Sequence, residues 1–148
     1  MKNFPDLPPI WTILAVLITI ALDRFFPDFS VDFQYRWFAT VIMALGGGLI
    51  IWSALWFFRK KTTIEPHHMA TTLLVEGPYK VSRNPIYLGM VVISFGVMVY
   101  VGNLLGLIPT ICLGIILHKR FVIPEENGLL QVFGIEAETY INKTKRWV

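Results

Sequence analysis

The chain has 148 residues, of which 55% are hydrophobic and only 16% charged, with a net charge of +3. A soluble domain carries roughly 25% charged residues. The deficit lies in several long apolar stretches, which excludes an ordinary soluble domain and points to an integral membrane protein. The single cysteine, Cys112, lies in an apolar run, so neither an internal disulfide nor a cysteine-rich zinc site is available. The small, uneven charge reads as membrane topology, and no nucleic-acid partner is expected.

The first apolar run covers about residues 8–26 and opens with Pro8-Pro9, where missing N–H groups cost least. One lysine offset by Asp6 precedes it, and no small-residue cleavage site follows before Leu22-Asp23-Arg24-Phe25-Phe26, so it reads as a retained helix. The second run, residues 37–58, is flanked by Tyr35 and Trp37 at one end and Trp56 at the other, as interfacial aromatics are. Its Gly46-Gly47-Gly48 triplet suits close approach by a neighbouring helix, within the chain or between chains. Residues 86–121 are too many for one span of about 20 residues. They suit two, 86–102 and 104–121, with a tight turn at Gly102-Asn103, and Pro109 would bend the fourth near its start. The expected architecture is all-α, a polytopic transmembrane bundle of about four spans.

Charge sets the sidedness. The first connection carries Asp23, Asp28 and Asp32 against Arg24 and Arg36. The connection after the second span, residues 59–85, carries Arg59, Lys60, Lys61, Lys80 and Arg83 against Glu65 and Glu76, and the tail adds Lys119, Arg120, Lys143, Lys145 and Arg146. Positive segments stay in the cytoplasm, so both termini and the 59–85 connection are expected there, in a bacterial inner membrane. Residues 124–148 differ in kind. Pro124 suits a first helical turn, Glu125 and Glu126 its positive end, and Leu129, Leu130 and Phe133 recur at helical spacing before Gly134 stops them. A second short helix around Ala137–Asn142 completes a cytoplasmic cap.

The run Gly77-Pro78-Tyr79-Lys80-Val81-Ser82-Arg83-Asn84-Pro85-Ile86-Tyr87-Leu88-Gly89 carries most of the functional signal. Pro85 pre-sets the third helix, and Asn84 before it is a good cap. Arg83 then lies at the interface, either as a plain anchor or as a clamp for a carboxylate or phosphate. Gly77-Pro78-Tyr79 is either a simple turn or a loop whose backbone approaches a ligand, with Tyr79 as its wall. Glu125-Glu126 either complements a helix start, worth up to about 1 kcal/mol, or binds an amine or ribose hydroxyl, or orients Arg83. Two carboxylates at a membrane boundary are costly enough to favour function equally. His67-His68 has no partner at ligand spacing, so no metal is expected. His118 borders the same region beside Lys119 and Arg120 and suits an interfacial, snorkelling role.

Together, the run Leu73-Leu74-Val75-Glu76-Gly77-Pro78-Tyr79-Lys80-Val81-Ser82-Arg83-Asn84-Pro85-Ile86-Tyr87-Leu88-Gly89 resembles the LVTxGPYRxxRHPxYxG pattern of the isoprenylcysteine carboxyl methyltransferase and phospholipid N-methyltransferase families. The pattern's second half is matched by Glu125-Glu126, Leu129 or Leu130, Phe133-Gly134, Tyr140 and Arg146-Trp147. The resemblance implies an integral-membrane methyltransferase using S-adenosylmethionine, with a lipid or lipophilic small molecule as methyl acceptor. By carry-over, Leu74, Gly77, Pro78, Tyr79, Asn84, Pro85 and Tyr87 would line the cofactor site, Glu125 or Glu126 would close it, and Arg83 would hold the acceptor's reacting end. Asn84 stands where many members have histidine, and Val75 where threonine is common.

Methyl transfer from a sulfonium asks for an aligned nucleophile, exclusion of water and a suitable field. A carboxylate or thiolate acceptor needs only a cation such as Arg83, whereas an amine needs a base, for which Glu126 is the candidate. Two competing readings remain: a steroid-reductase-type enzyme using NADPH, and a non-catalytic lipid-binding protein of the same fold.

Overall fold

A computed structural model of the chain describes residues 6–30, 36–60 and 72–148. His67 and His68, together with Tyr35, Lys61 and Glu65, lie outside them. The described residues form helices and contain no strand: α1 (Pro8–Phe25), α2 (Arg36–Lys60), α3 (Pro85–Val101), α4 (Leu107–Leu117), α5 (Ile123–Phe133) and α6 (Ile135–Lys143). The protein is an all-α bundle. Three stretches are long and apolar enough to cross a membrane, Pro8–Phe25, Arg36–Lys60 and Leu104–Phe133, and α3 is a shorter apolar helix of 17 residues.

Helix α2 packs chiefly on α3, whereas α1 packs on both α3 and α4. Much of α2 therefore faces outward, with Trp37, Leu45, Ile51, Trp52 and Phe58 exposed on a surface suited to lipid. The α2–α3 crossing depends on two glycines. A Cβ on Gly46 would lie 2.8 Å from the Gly89 carbonyl oxygen, and one on Gly89 would lie 2.7 Å from that of Gly46. Backbone meets backbone there, as small residues allow in membrane helix pairs. Of the triplet, only Gly46 serves this contact, since Cβ atoms on Gly47 or Gly48 would meet nothing within 4 Å. Three consecutive residues span 200° of a helix, so one neighbouring helix cannot use all of them.

The central core joins Ala15 of α1, Tyr87 and Met90 of α3, and Leu113, Leu117, Phe121 and Val122 further on. The last two belong to a π-helical segment, His118–Val122, between α4 and α5. Pro124 stands in the first turn of α5, as its sequence context suggests, and the helical path from α4 runs through the π-helical segment straight into α5. Inside a regular α-helix a proline ring collides with the carbonyl four residues earlier, here that of Arg120; the wider π turn accommodates it. Pro109 sits at the third position of α4, within the first turn, where no helical hydrogen bond is lost.

The two ends of the bundle differ. At one, the buried Asn103 side chain donates to the Phe26 carbonyl at 2.9 Å and caps the following turn by accepting from Leu105 N at 3.0 Å. At the other, Asp6 pairs with Arg120 at 2.9 Å, and the segment before α3 meets the C-terminal tail. Both described chain ends thus lie with the basic segments, at the end of the bundle that carries the site.

Candidate active site

The segment Gly77–Lys80 is a single 3-10 turn. Gly77 has φ +59°, and a Cβ there would fall 2.2 Å from the indole nitrogen of Trp56 in α2. Only glycine meets both demands. Pro78 and Tyr79 are buried behind it, and the Tyr79 ring meets Phe57 edge-on at 5.6 Å between centroids. The Tyr79 carbonyl accepts the Tyr140 hydroxyl at 2.8 Å, so α6 of the cap holds the turn directly.

The tail then runs alongside the next residues. Arg83 N donates to the Lys145 carbonyl at 3.0 Å, and Ser82 and Lys145 form a short parallel bridge. Asn84 Nδ2 donates to the Arg146 carbonyl at 2.9 Å. Asn84 is thus not the side-chain cap of α3 that its place before Pro85 suggests, for it makes no capping hydrogen bond. Its amide faces the tail, where the half-buried Arg146 carbonyl, outside any helix, also accepts the Ser82 hydroxyl at 3.4 Å.

Glu126 is the hub. One carboxylate oxygen lies 3.2 Å from Arg83 Nη1 as an ion pair. Arg146 grips both oxygens, with Nε at 3.0 and 3.1 Å and Nη2 at 2.7 Å. The Arg83 and Glu126 side chains are each only 9% exposed, whereas that of Arg146 is 40% exposed. Arg83 keeps spare capacity, because its Nε is buried with no hydrogen-bond partner among the described residues. Glu125, next in the chain, is held differently, by the Tyr87 hydroxyl. The Tyr87 ring in turn leans on Phe121 at 6.1 Å.

Further buried polar atoms stand without partners among the described residues: Trp56 Nε1, the Tyr79 hydroxyl and His118 Nδ1. Ser53 lies near the Tyr79 hydroxyl without completing a hydrogen bond. Burial pushes the Tyr79 phenol well above its ordinary pKa of 10.0, and the neighbouring Tyr140 and Glu125 add to the rise. Burial likewise raises Tyr140, partly opposed by Arg83. Both phenols are therefore neutral hydrogen-bond donors over the physiological range. His118 faces Trp147 at 6.3 Å between ring centroids.

The fold thus gathers Gly77, Pro78, Tyr79, Arg83, Asn84, Pro85, Tyr87, Glu125 and Glu126 at one end of the bundle; Leu74 is buried just before the turn. Sequence reasoning passed over Arg146, Tyr140 and Trp56 as site residues. The first two stand at the basic-Trp ending and the tyrosine already matched in the tail. Trp56 carried only an interfacial signal, and its packing under Gly77 needs the folded chain.

These features define an integral-membrane helical protein with a polar, arginine- and carboxylate-bearing site at one end of its bundle. Residues 35–136, more than half of the chain, match the family model described as phospholipid methyltransferase, and the chain belongs to that family. No curated protein and no solved structure matches it.

Proposed function

We propose that the protein transfers a methyl group from S-adenosylmethionine to a lipophilic acceptor, at the bundle end that holds Arg83 and Glu126. Membership of a membrane methyltransferase family supplies the reaction class. The observation that carries the reading further is the buried guanidinium of Arg83, paired with Glu126 yet left with a donor that no described residue uses. Buried donors without partners are rare because each costs roughly 1–3 kcal/mol. A ligand with oxygen acceptors removes that cost.

The residues suit the cofactor. Its carboxylate and ribose oxygens are acceptors, and Arg83, Tyr79 and Trp56 supply donors. When bound, S-adenosylmethionine supplies a methyl group on a cationic sulfur that needs no further activation. The chain's own work is then positional. Gly77 and Pro78 give the turn its shape, Tyr140 and Asn84 tie it to the tail, and Glu126 fixes the angle of Arg83. Buried Tyr79, Tyr87 and Phe121 keep water from the reacting atoms. The acceptor class comprises an isoprenylcysteine carboxylate, a phospholipid amine or a small thiol.

The same end collects Arg59, Lys60, Lys80, Lys119, Arg120, Lys143 and Lys145, so we place it in the cytoplasm. Calorimetry on the purified protein in detergent tests the reading. One-to-one binding of S-adenosylhomocysteine is expected, with no heat from NADPH. NADPH binding without S-adenosylhomocysteine binding would replace it with a reductase.

A further inference from the structure

The two adjacent glutamates have opposite electrostatic settings. Both Glu126 oxygens are taken by Arg146, and Arg83 stands beside them, so this carboxylate faces two guanidiniums. Glu125 pairs with no cation among the described residues. Its one partner is the Tyr87 hydroxyl, which donates to Oε1 and leaves Oε2 without a hydrogen bond among them. A carboxylate accepts at about four lone-pair positions, so most of this one's capacity is unspent. A second, independent feature points to the same place. The hydroxyl of Tyr79, a residue only 6% exposed, has no hydrogen-bond partner among the described residues and is close enough for the Glu125 charge to act on it.

We propose that Glu125, steadied by Tyr87, is the proton acceptor of the transfer reaction, while Glu126 is a positioning residue that holds Arg83. The proposal rests on the methyltransferase reading above and deepens it, since a proton acceptor is useful only for a nucleophile that carries a proton. The acceptor class is thereby an ammonium or thiol compound and not a carboxylate. In the step, the acceptor's N–H or S–H proton passes to a Glu125 oxygen. The lone pair so freed attacks the methyl carbon as the carbon–sulfur bond breaks, and that bond's electron pair returns to sulfur. The proton later leaves Glu125 for water. Tyr87 donates throughout, which orients the carboxylate without taking its proton.

The test compares wild type with Glu125→Gln and Glu126→Gln, reading calorimetric binding of S-adenosylhomocysteine and transfer of radiolabelled methyl to a primary-amine lipid, an alkanethiol and a prenylated-cysteine carboxylate. Glu125→Gln is expected to bind S-adenosylhomocysteine within about threefold of wild type, yet to transfer roughly 10²- to 10⁴-fold more slowly at pH 7, the range of a general base. That deficit should shrink as the pH approaches the acceptor's own pKa, where the acceptor deprotonates unaided. Wild-type transfer at an unchanged pH profile in Glu125→Gln, or a fall in rate matched by an equal fall in binding, would overturn the assignment. So would a wild-type protein that prefers the carboxylate acceptor, a result independent of how any variant folds. Wild type that binds no S-adenosylhomocysteine would instead remove the methyltransferase reading, and this proposal with it.

Discussion

Asn84 and Arg146 are joined by a 2.9 Å hydrogen bond from side-chain amide to backbone carbonyl, across 62 positions of sequence. Through it, the turn before α3 and the last few residues of the chain become one wall of the site. The same two strands of chain also share the Arg83 N–Lys145 carbonyl bond and the Glu126 hub.

Asn84→Ala should therefore loosen the tail before it affects the bundle. The lost bond leaves the Arg146 carbonyl with only the longer, 3.4 Å hydrogen bond from the Ser82 hydroxyl, a loss of roughly 1 kcal/mol. Limited proteolysis in detergent should cut after α6 faster than in wild type, with helicity by circular dichroism unchanged. Equal protection of the tail in both proteins would mean that the bond contributes nothing.

The Glu126 hub should respond asymmetrically. Glu126→Ala strands the buried Arg83 guanidinium, and breaking a buried pair from one side costs about 3–5 kcal/mol. Arg146 is more exposed, so Arg146→Ala should cost less, and Arg146→Lys should recover little because lysine cannot span both oxygens. Thermal unfolding in one detergent would rank them. Arg146→Ala falling below Glu126→Ala would contradict the hub.

Gly89→Ala and Gly48→Ala make a sharp pair. The first places a methyl 2.7 Å from the Gly46 carbonyl oxygen and should part α2 from α3, lowering the unfolding temperature. The second meets open space and gains helix propensity of up to about 1 kcal/mol, so stability should hold or rise. Gly77→Ala should join the destabilised class, because it needs both a positive φ and the volume of Trp56.

Alkaline pH should weaken the fold through its buried phenols. Tyr79 and Tyr140 have folded pKa values above the ordinary 10.0, so the folded state holds their protons more tightly than the unfolded chain. Their contribution is complete below pH 10 and is lost as pH rises from there towards the folded values. Unfolding temperature should fall from about pH 10 upward, and less steeply in Tyr140→Phe, which lacks one of the two phenols. An identical slope in that variant would assign the alkaline loss elsewhere.

The membrane class and the all-helical bundle were legible in the chain because they follow from local quantities: the length of each apolar run and the paucity of charge within it. The Gly77–Gly89 run was legible for the same reason, since proline and glycine dictate backbone geometry wherever they stand. Side-chain direction was less so. Asn84 read as a cap from its neighbours, yet its amide bonds a carbonyl far along the chain, and the glycine triplet read as one contact surface although only Gly46 touches α3.

Sequence by itself determined that this chain spans a membrane as helices, and that one proline-rich run and one glutamate pair are set apart from them. Those properties depend on composition and nearest neighbours. Tertiary structure alone decided that Arg146 and Arg83 share Glu126, while Glu125 is left to Tyr87. Consecutive helical residues diverge by about 100°, so two identical side chains meet different surroundings, and only the packing of α3, α5 and the tail says which of them meets the cations.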